Sequence, residues 1–266
     1  MKTGAKPSML HEAFHYGDVE HAHYEKYGYF IFDHFLTDEA TAVCRGHLDR
    51  MFTETHPECP PEEIISAHQQ GERWIWDLAV EPRLLDMIER HIGPNILFWS
   101  TQALSKPPRT GMEVPWHQDA PYWNISGKLP GSVWIPLDDT DTENGTLSIL
   151  PRWHTRGHLP RKQTTAEFFT QEIDPEALPE NIDQLKVTYN LKAGQMATHD
   201  TLLPHSSTPN RSDRWRRHIG FRYMAADGQL GDKSYRNFRT LEPFPREFFL
   251  VRGEDVKGYG LKRSPF

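Results

Sequence analysis

The sequence predicts a mainly β protein, a sandwich or a jelly roll, with its helices placed before most of its strands. Two observations support this. From residue 96 onward, short apolar or alternating runs are separated by Gly, Pro, Asn and Asp, which is typical of strands joined by turns. Before that point, longer runs carry helix start and stop signals. The predicted strands are Ile96–Leu104, Ser132–Leu137, Thr146–Leu150, Val187–Leu191, Gln195–His199 and Arg217–Met224.

The helices are predicted from their ends. A first helix ends at Gly28, and a short strand follows it. Thr37 is a good N-cap for a second helix that runs to about Phe52, because the two residues after it are acidic. A further helix spans Pro82–His91, with proline in its first turn and a stop at Gly93.

The length of the chain and one long connection define the expected domain organisation. A chain of 266 residues fits one domain, and we expect a single domain over residues 1–266. The segment 159–186 lies between two predicted strands and is interrupted by proline and acidic residues. Long insertions of this kind often cover a binding site, so we expect a lid or a substrate-shaping element there.

Composition and charge exclude several classes of function. Hydrophobic residues at 37% and charged residues at 25% are ordinary for a globular enzyme. A net charge of −7 argues against a nucleic-acid partner, although the segment Arg211–Arg217 is locally basic. Cys44 and Cys59 are too few for a disulfide scaffold, which favours reduced thiols in a cytoplasmic protein. No run approaches the ~20 apolar residues of a membrane span, so we expect no membrane partner. We expect a small-molecule substrate as the partner.

Two distant histidines and one aspartate form a candidate metal site. In an extended segment, residues i and i+2 point to the same side, so His117 and Asp119 both reach one ion while Gln118 points away. His205 supplies a third donor far downstream. Two histidines and a carboxylate on one face of an octahedral ion are the ligand set of mononuclear non-haem iron, and they leave positions open for other ligands. His199 is a rival third ligand, but we expect it to pair with a backbone or carboxylate group.

Aromatic residues and arginines surround this motif. The candidates for a substrate pocket are Trp116, Tyr122, Trp123, Trp153 and His154. Downstream of the second histidine, strand alternation places Arg216, His218 and Gly220 on one face and Arg217 on the other. A buried arginine can grip a carboxylate through two parallel hydrogen bonds. We therefore expect one of these arginines to point into the barrel.

These residues together resemble the phytanoyl-CoA dioxygenase family of Fe(II)/2-oxoglutarate oxygenases. The resemblance covers most of the chain, and the ordered combination of motifs is more specific than any one of them. The matching runs are 27–30, 103–108, Trp116-His117-Gln118-Asp119, 133–139, 143–147, 150–154 and 205–212.

The resemblance implies a double-stranded β-helix (a jelly roll, cupin-like) with helices packed outside. It also implies that Fe(II) is bound by His117, Asp119 and His205, and that Arg216 binds 2-oxoglutarate, with Gln102, Trp134 and Ser207 as further co-substrate contacts. Dioxygen is the other co-substrate, and ascorbate serves as the reductant in vitro. The family usually has Gly-Ser-His where this chain has Arg-Trp-His at 152–154, a departure at the predicted rim of the barrel.

The intact carboxylate narrows the expected reaction. Related halogenases lack this residue, so Asp119 favours hydroxylation, desaturation or oxidative ring closure over halogenation. The 8 tryptophans would suit a sugar-containing or polycyclic natural product, as in antibiotic biosynthesis. The alternatives are an acyl-CoA hydroxylase, as in the family's namesake, and a non-catalytic metal- or ligand-binding jelly roll. We expect a monomer or a homodimer.

Overall fold

The computed structural model describes residues 8–110, 112–166 and 169–266, and these residues form five helices and fifteen strands. The helices are α1 (Asp18–Tyr27), α2 (Asp38–Glu54), α3 (Arg73–Ala79), α4 (Pro82–Ile92) and α5 (Ile182–Leu185). The first eight strands are β1 (Tyr29–Phe32), β2 (Ile64–Ile65), β3 (Ile96–Ala103), β4 (Val114–His117), β5 (Ser132–Pro136), β6 (Leu147–Ile149), β7 (Arg161–Gln163) and β8 (Gln171–Ile173). The others are β9 (Val187–Thr188), β10 (Met196–His199), β11 (His205–Ser207), β12 (His218–Ala225), β13 (Ser234–Arg236), β14 (Pro243–Pro245) and β15 (Phe249–Arg252).

Two antiparallel sheets build the body of the molecule. The major sheet has seven strands in the order β1-β10-β5-β12-β3-β15, with β2 beside β3. The minor sheet has four strands in the order β4-β11-β6-β9. A cavity of about 380 Å³ lies between them and is lined by residues of both sheets. Two such sheets enclosing a cavity form a jelly roll, which confirms the predicted fold class.

Strand β12 shows how one sequence serves both faces of the major sheet. Ile219, Phe221 and Tyr223 are fully buried on the outer face, in the main apolar core that includes residues of α2, α3 and α4. His218 and Arg222 alternate with them and face the cavity. Burying a large apolar side chain stabilises the fold by ~1.5–3 kcal/mol, so this packing fixes which side chains of β12 turn inward.

The helix ends lie close to the predicted positions. The Thr37 hydroxyl accepts a hydrogen bond from the backbone N–H of Ala40 at 3.1 Å and caps α2. Helix α4 has Pro82 in its first turn and ends before Gly93, and α1 ends at Gly28 with a positive φ of 80°. No described helix is both long and apolar enough to cross a bilayer.

The structure differs from the sequence expectation in several features, and three of them have a physical explanation. Helix α3 was not predicted, because its seven residues are too few to show a helical period. Strand β9 is shorter than predicted, because the hydroxyls of Thr140 and Thr146 occupy the backbone carbonyl of Tyr189 at 2.8 and 2.7 Å. Within the segment 159–186, β7 and β8 form a hairpin that no pattern in the sequence indicated. Both cysteines are unpaired and buried.

Candidate metal centre

The two histidines of the motif lie side by side on the minor sheet. Strand β11 pairs with β4 in an antiparallel register that places His205 opposite His117. The ring centroids are 4.1 Å apart. Asp119 follows β4 by two residues and brings its carboxylate to the same side. Cross-strand pairing therefore joins two segments that are far apart in the sequence at one point.

Each histidine is oriented by a backbone carbonyl two residues earlier in the chain, on β4 for His117 and just before β11 for His205. Nδ1 of His117 lies 2.9 Å from the carbonyl oxygen of Pro115, and Nδ1 of His205 lies 2.9 Å from that of Leu203. A carbonyl oxygen can only accept, so each Nδ1 carries the proton and donates it. The Nε2 lone pairs are then free to bind a cation, which is the usual arrangement around histidines that ligate metals.

The donor atoms converge on one buried point. Nε2 of His117 and Nε2 of His205 each lie 3.9 Å from Oδ1 of Asp119. All three donors lie within 4.8 Å of one another, and each residue is at most 5% exposed. Two neutral imidazoles and one carboxylate in this grouping fit a divalent ion such as Fe(II) and leave its other positions facing the cavity.

The carboxylate is held in its charged form. The Ser132 hydroxyl donates a 2.6 Å hydrogen bond to Oδ2 of Asp119, and Nη2 of Arg222 lies 3.6 Å from the same oxygen. Burial alone would raise the pKa of Asp119, but the opposing interactions, of which the positive charge of Arg222 is the largest, lower that pKa below its usual range. Oδ2 is thus engaged by protein groups, while Oδ1 faces the histidines.

Burial keeps the ligand histidines neutral. It lowers the pKa of His117 to about 3 and that of His205 to about 4. Their mutual repulsion lowers the pKa of His117 further, whereas the charge of Asp119 opposes the shift in both. Both rings can therefore bind a cation at neutral pH without first losing a proton.

A second group of possible metal donors lies outside the cavity. His21, Glu25 and His91 also bring donor atoms within 4.8 Å of one another. There, however, the Tyr16 hydroxyl lies 3.0 Å from Nδ1 of His21 and 2.8 Å from Nε2 of His91. The histidines of this group are already hydrogen-bonded to a side chain, unlike the two Nε2 atoms in the cavity.

The predicted co-substrate residues all line the cavity. Arg216 is 2% exposed, and its Nη1 donates to the backbone carbonyl of Leu104 at 3.1 Å and to His218 Nδ1 at 2.8 Å. Its Nε is buried and has no hydrogen-bond partner among the described residues. Burial lowers the pKa of Arg216 to about 10, which leaves the guanidinium charged at neutral pH. The predicted contacts around it also line the cavity: Gln102, Trp134 and Ser207.

A buried lysine adjoins this end of the cavity. Nζ of Lys106 donates to the Ser207 hydroxyl at 2.7 Å and to the backbone carbonyl of Thr208 at 2.5 Å. Burial and the nearby charge of Arg216 lower the pKa of Lys106 to about 6. The lysine fixes the turn after β11 through these two hydrogen bonds, and its lowered pKa favours the neutral amine at neutral pH.

The structure brings together only part of the predicted substrate pocket. Tyr122 and Trp123 line the cavity, but Trp116, Trp153 and His154 do not. Trp116 neighbours His117 on β4, so alternation turns it to the other face. Trp153 stacks with the Arg156 guanidinium at 3.8 Å, and Nε2 of His154 lies 3.1 Å from the carbonyl oxygen of Glu25. These three residues are therefore removed from the predicted pocket.

Several lining residues were not predicted. His199 lies with its ring 4.7 Å from that of His205, and its Nδ1 has no partner among the described residues, contrary to the expected hydrogen bond. Phe169 packs 4.7 Å from the His117 ring. Arg222 and Lys233 supply further positive charges. For Arg222 the signal was present, because the alternation that pairs Arg216 with Gly220 reaches position 222 next.

Known proteins share this sequence pattern and this fold. A family model described as phytanoyl-CoA dioxygenase (PhyH) matches residues 24–218. Ectoine dioxygenase from Bordetella parapertussis is 24% identical over 235 residues, which cover 80% of this chain and 76% of that protein. Peroxisomal phytanoyl-CoA dioxygenase from Homo sapiens is 24% identical over 226 residues, which cover 77% of this chain and 67% of that protein.

Solved structures agree with the predicted fold. The crystal structure of the non-heme alpha-ketoglutarate-dependent carbocyclase SnoK from nogalamycin biosynthesis has a TM-score of 0.67 at 21% identity. The matched region covers 83% of this chain and 87% of the SnoK chain. The jelly roll and the predicted oxygenase class are confirmed, with iron, 2-oxoglutarate and dioxygen as the family's cofactor set. The match over residues 24–218 shows that the chain belongs to the phytanoyl-CoA dioxygenase family.

Proposed function

We propose that this protein hydroxylates or oxidatively cyclises a small organic molecule, with Fe(II) held by His117, Asp119 and His205. The observation that carries the proposal is the convergence of these three donors in a buried cavity that also contains Arg216. A site that only stored a metal would need no buried arginine beside it. The non-catalytic alternative is disfavoured for that reason.

Each group has a distinct task in this proposal. The backbone carbonyls of Pro115 and Leu203 fix the tautomers of the two histidines, and Ser132 fixes the carboxylate. Arg216 would pair with a carboxylate of 2-oxoglutarate, since its buried Nε has no partner among the described residues and could donate to that anion. The bound iron would supply oxidation by dioxygen coupled to the decarboxylation of 2-oxoglutarate.

The apolar wall of the cavity limits side reactions. Trp99 and Trp123 meet edge to face at 5.0 Å, and Phe169 covers the ring of His117. Phe169 belongs to the segment 159–186, which we propose acts as a lid within a single domain. The segment is tied to the metal motif, because the Gln118 side chain accepts a hydrogen bond from the backbone N–H of Leu159 at 2.9 Å. Excluding water protects a reactive centre from unproductive chemistry.

The substrate class rests on the lining residues. Tyr122, Trp123 and Trp134 offer flat faces that suit rings, including the apolar faces of sugars. Likeness to the nogalamycin carbocyclase supports a ring-containing natural product, as in antibiotic biosynthesis. Similarity to the human phytanoyl-CoA dioxygenase supports acyl-CoA hydroxylation as the second candidate. Efficient turnover of phytanoyl-CoA without turnover of glycosides would favour that second candidate.

Decarboxylation of 2-oxoglutarate tests the proposal directly. The purified protein would be incubated with Fe(II), ascorbate and 2-oxoglutarate labelled at its first carbon. We expect release of labelled carbon dioxide even without a substrate, and loss of that release in Asp119→Ala. Absence of both carbon dioxide release and 2-oxoglutarate binding would reject the oxygenase in favour of a binding protein.

A further inference from the structure

We propose that the substrate of this site is a small organic anion, and that Arg222 and Lys233 bind its carboxylate or phosphate group. This inference rests on the proposed function and narrows it to a chemical class. It starts from the fact that the cavity contains more positive charge than the metal and 2-oxoglutarate require.

Arg222 is a buried cation that no carboxylate of the protein neutralises fully. Its side chain is 13% exposed, and Nη2 donates to the Gln102 side-chain oxygen at 2.9 Å. The distance of 3.6 Å to Asp119 is longer than a hydrogen bond, and the Asp119 oxygen concerned already accepts from Ser132. Nε of Arg222 is buried without a partner among the described residues. A buried, unsatisfied donor is costly and indicates a ligand that completes it.

Lys233 extends this positive region toward the mouth of the cavity. Lys233 lines the cavity, and Nζ lies 3.3 Å from the backbone carbonyl of Tyr122. Partial burial and the charges of Arg246 and Arg222 lower its pKa, so the three cations lie close enough to repel one another. Arg246 has a structural task, because it donates to the backbone carbonyls of Trp123 and Gly231 at 2.6 Å each. Within the part of the chain that the structure describes, Arg222 and Lys233 have no such pair of backbone acceptors.

The charges of the loaded site indicate the sign of the missing ligand. Among the described residues that line the cavity, Asp119 is the only carboxylate. A divalent ion, the doubly charged 2-oxoglutarate, Asp119 and Arg216 together carry no net charge. Arg222 then leaves a positive charge in a partly dry cavity beside a divalent cation, and Lys233 adds a second positive charge from its exposed position. Like charges in such surroundings repel strongly, and an anionic substrate relieves the repulsion.

The neighbouring aromatic residues describe the rest of the substrate. The Arg222 guanidinium lies 5.0 Å from the centroid of the Trp123 ring, and Tyr235 lines the cavity near Lys233. An arginine held against a flat ring presents its edge to a carboxylate or phosphate. The site therefore fits an anionic group attached to a ring or another flat apolar body.

Calorimetric titration with matched probes tests the inference. The protein would be saturated with Mn(II) in place of iron and with 2-oxoglutarate, and both binding steps would be measured first. Phenylacetate, phenyl phosphate and the neutral phenylacetamide would then be titrated separately. We expect at least one anion to bind about tenfold more tightly than the amide. The better anion also distinguishes a carboxylate from a phosphate site.

Variants show which residues produce the preference for the anionic probes over the neutral amide. Arg222→Gln and Lys233→Gln should each reduce the preference for the anion about fivefold, whereas Arg222→Lys should retain most of it. Lys262→Gln is the matched control, because Lys262 is exposed and pairs with Glu247 outside the cavity.

Equal binding of the amide and both anions, or a preference unchanged in the two Gln variants, would overturn the inference while 2-oxoglutarate still binds. A loss of 2-oxoglutarate affinity in Arg222→Gln, with probe binding intact, would assign Arg222 to the co-substrate instead. Failure of 2-oxoglutarate to bind the unaltered protein would reject the proposed function as well.

Discussion

The two sheets contribute to the cavity in different ways. The minor sheet supplies two neutral histidines, each oriented by a backbone carbonyl two residues earlier in the chain. The major sheet and the residues just before β12 supply the groups that are charged or that fix charge: Ser132, Arg222 and Arg216. Their partners are distant in sequence, since Arg216 bonds the carbonyl of Leu104 and Arg222 bonds Gln102. The orientation of each histidine ring is thus encoded locally, whereas the charge balance depends on the register of the whole sheet.

Loss of a minor-sheet ligand should have the largest effect. His117→Ala or His205→Ala removes one of three donors, so we expect iron to be lost and turnover to fall by roughly 1,000-fold, beyond the ~10–100-fold of outer-shell changes. Iron content and carbon dioxide release measure the two effects. His21→Ala is the control, because it disrupts the other possible donor group, outside the cavity. Retention of iron in His117→Ala with its loss in His21→Ala would place the metal in that other group.

Substitution of Arg216 should weaken the binding of 2-oxoglutarate without removing the metal from the minor sheet. Arg216→Gln removes the charge that we assign to 2-oxoglutarate, and losing one partner of a buried ion pair costs about 3 kcal/mol, or roughly 100-fold in affinity. Iron binding should persist, because the metal donors lie on and after the strands of the minor sheet. Titration of 2-oxoglutarate into the Mn(II)-loaded variant measures this. Equal loss of metal and of 2-oxoglutarate would mean that Arg216 supports the fold rather than the co-substrate.

Ser132 links the sheets and should show an intermediate effect. Its hydroxyl donates to Asp119 from the major sheet, so Ser132→Ala frees the carboxylate to rotate. We expect metal affinity to fall about tenfold, as is typical when an outer-shell partner is removed. Ser148→Ala is the control, because that hydroxyl pairs with Thr188 on the minor sheet away from the metal. Equal metal affinity of the two variants would show that Asp119 needs no support from the major sheet.

The contrast between the sheets also explains what the sequence could predict. The spacing of His117 and Asp119 is a local pattern with period two, and the structure brings both to one ion site with His205. Arg222 obeys the same period beyond Gly220, but its importance depends on β5 placing Ser132 opposite it. That register is a tertiary property, so the sequence pattern alone could not reveal the excess positive charge.

Insertions and strained turns were the least predictable parts. Phe169 reaches the metal site only because of the hairpin of β7 and β8, and no periodicity marks that hairpin. Trp153 and His154 were expected at the pocket rim, but Arg152 before them has a φ of 70°. This left-handed residue turns the chain toward α1, where the Arg152 guanidinium lies 4.5 Å from the Tyr27 ring. The left-handed turn at Arg152 precedes both side chains, which contact Arg156 and the backbone of Glu25 instead of lining the cavity.

The pH dependence of metal binding should reveal how well the minor sheet shields its ligands. The pKa values of about 3 for His117 and about 4 for His205 lie below the ordinary value of 6.5, so both rings stay neutral well into the acid range. Protons should then compete with the metal only below about pH 5, and we expect Mn(II) affinity to change less than about threefold between pH 7.5 and 5.5. Two exposed histidines would each lose about tenfold over that range. Equilibrium dialysis of Mn(II) measures the difference, and a loss of about 100-fold would show that the ligands are open to water.

The smallest expected effect on catalysis is that of a substitution at His154, just outside the cavity. The His154 ring packs against Gly28, where an added Cβ would lie 2.5 Å from Nδ1 of His154. His154→Ala therefore leaves a gap beside α1 and should lower stability by about 1 kcal/mol. Its kcat and KM should stay within about twofold of the unaltered values, because the residue does not line the cavity.

Trp123→Leu, by contrast, changes a lining residue that packs on Trp99 and should raise KM for the substrate several-fold. A larger KM effect in His154→Ala than in Trp123→Leu would indicate that the substrate binds at the rim near residues 152–154, as the sequence first suggested. The anion site could then not be assigned to Arg222.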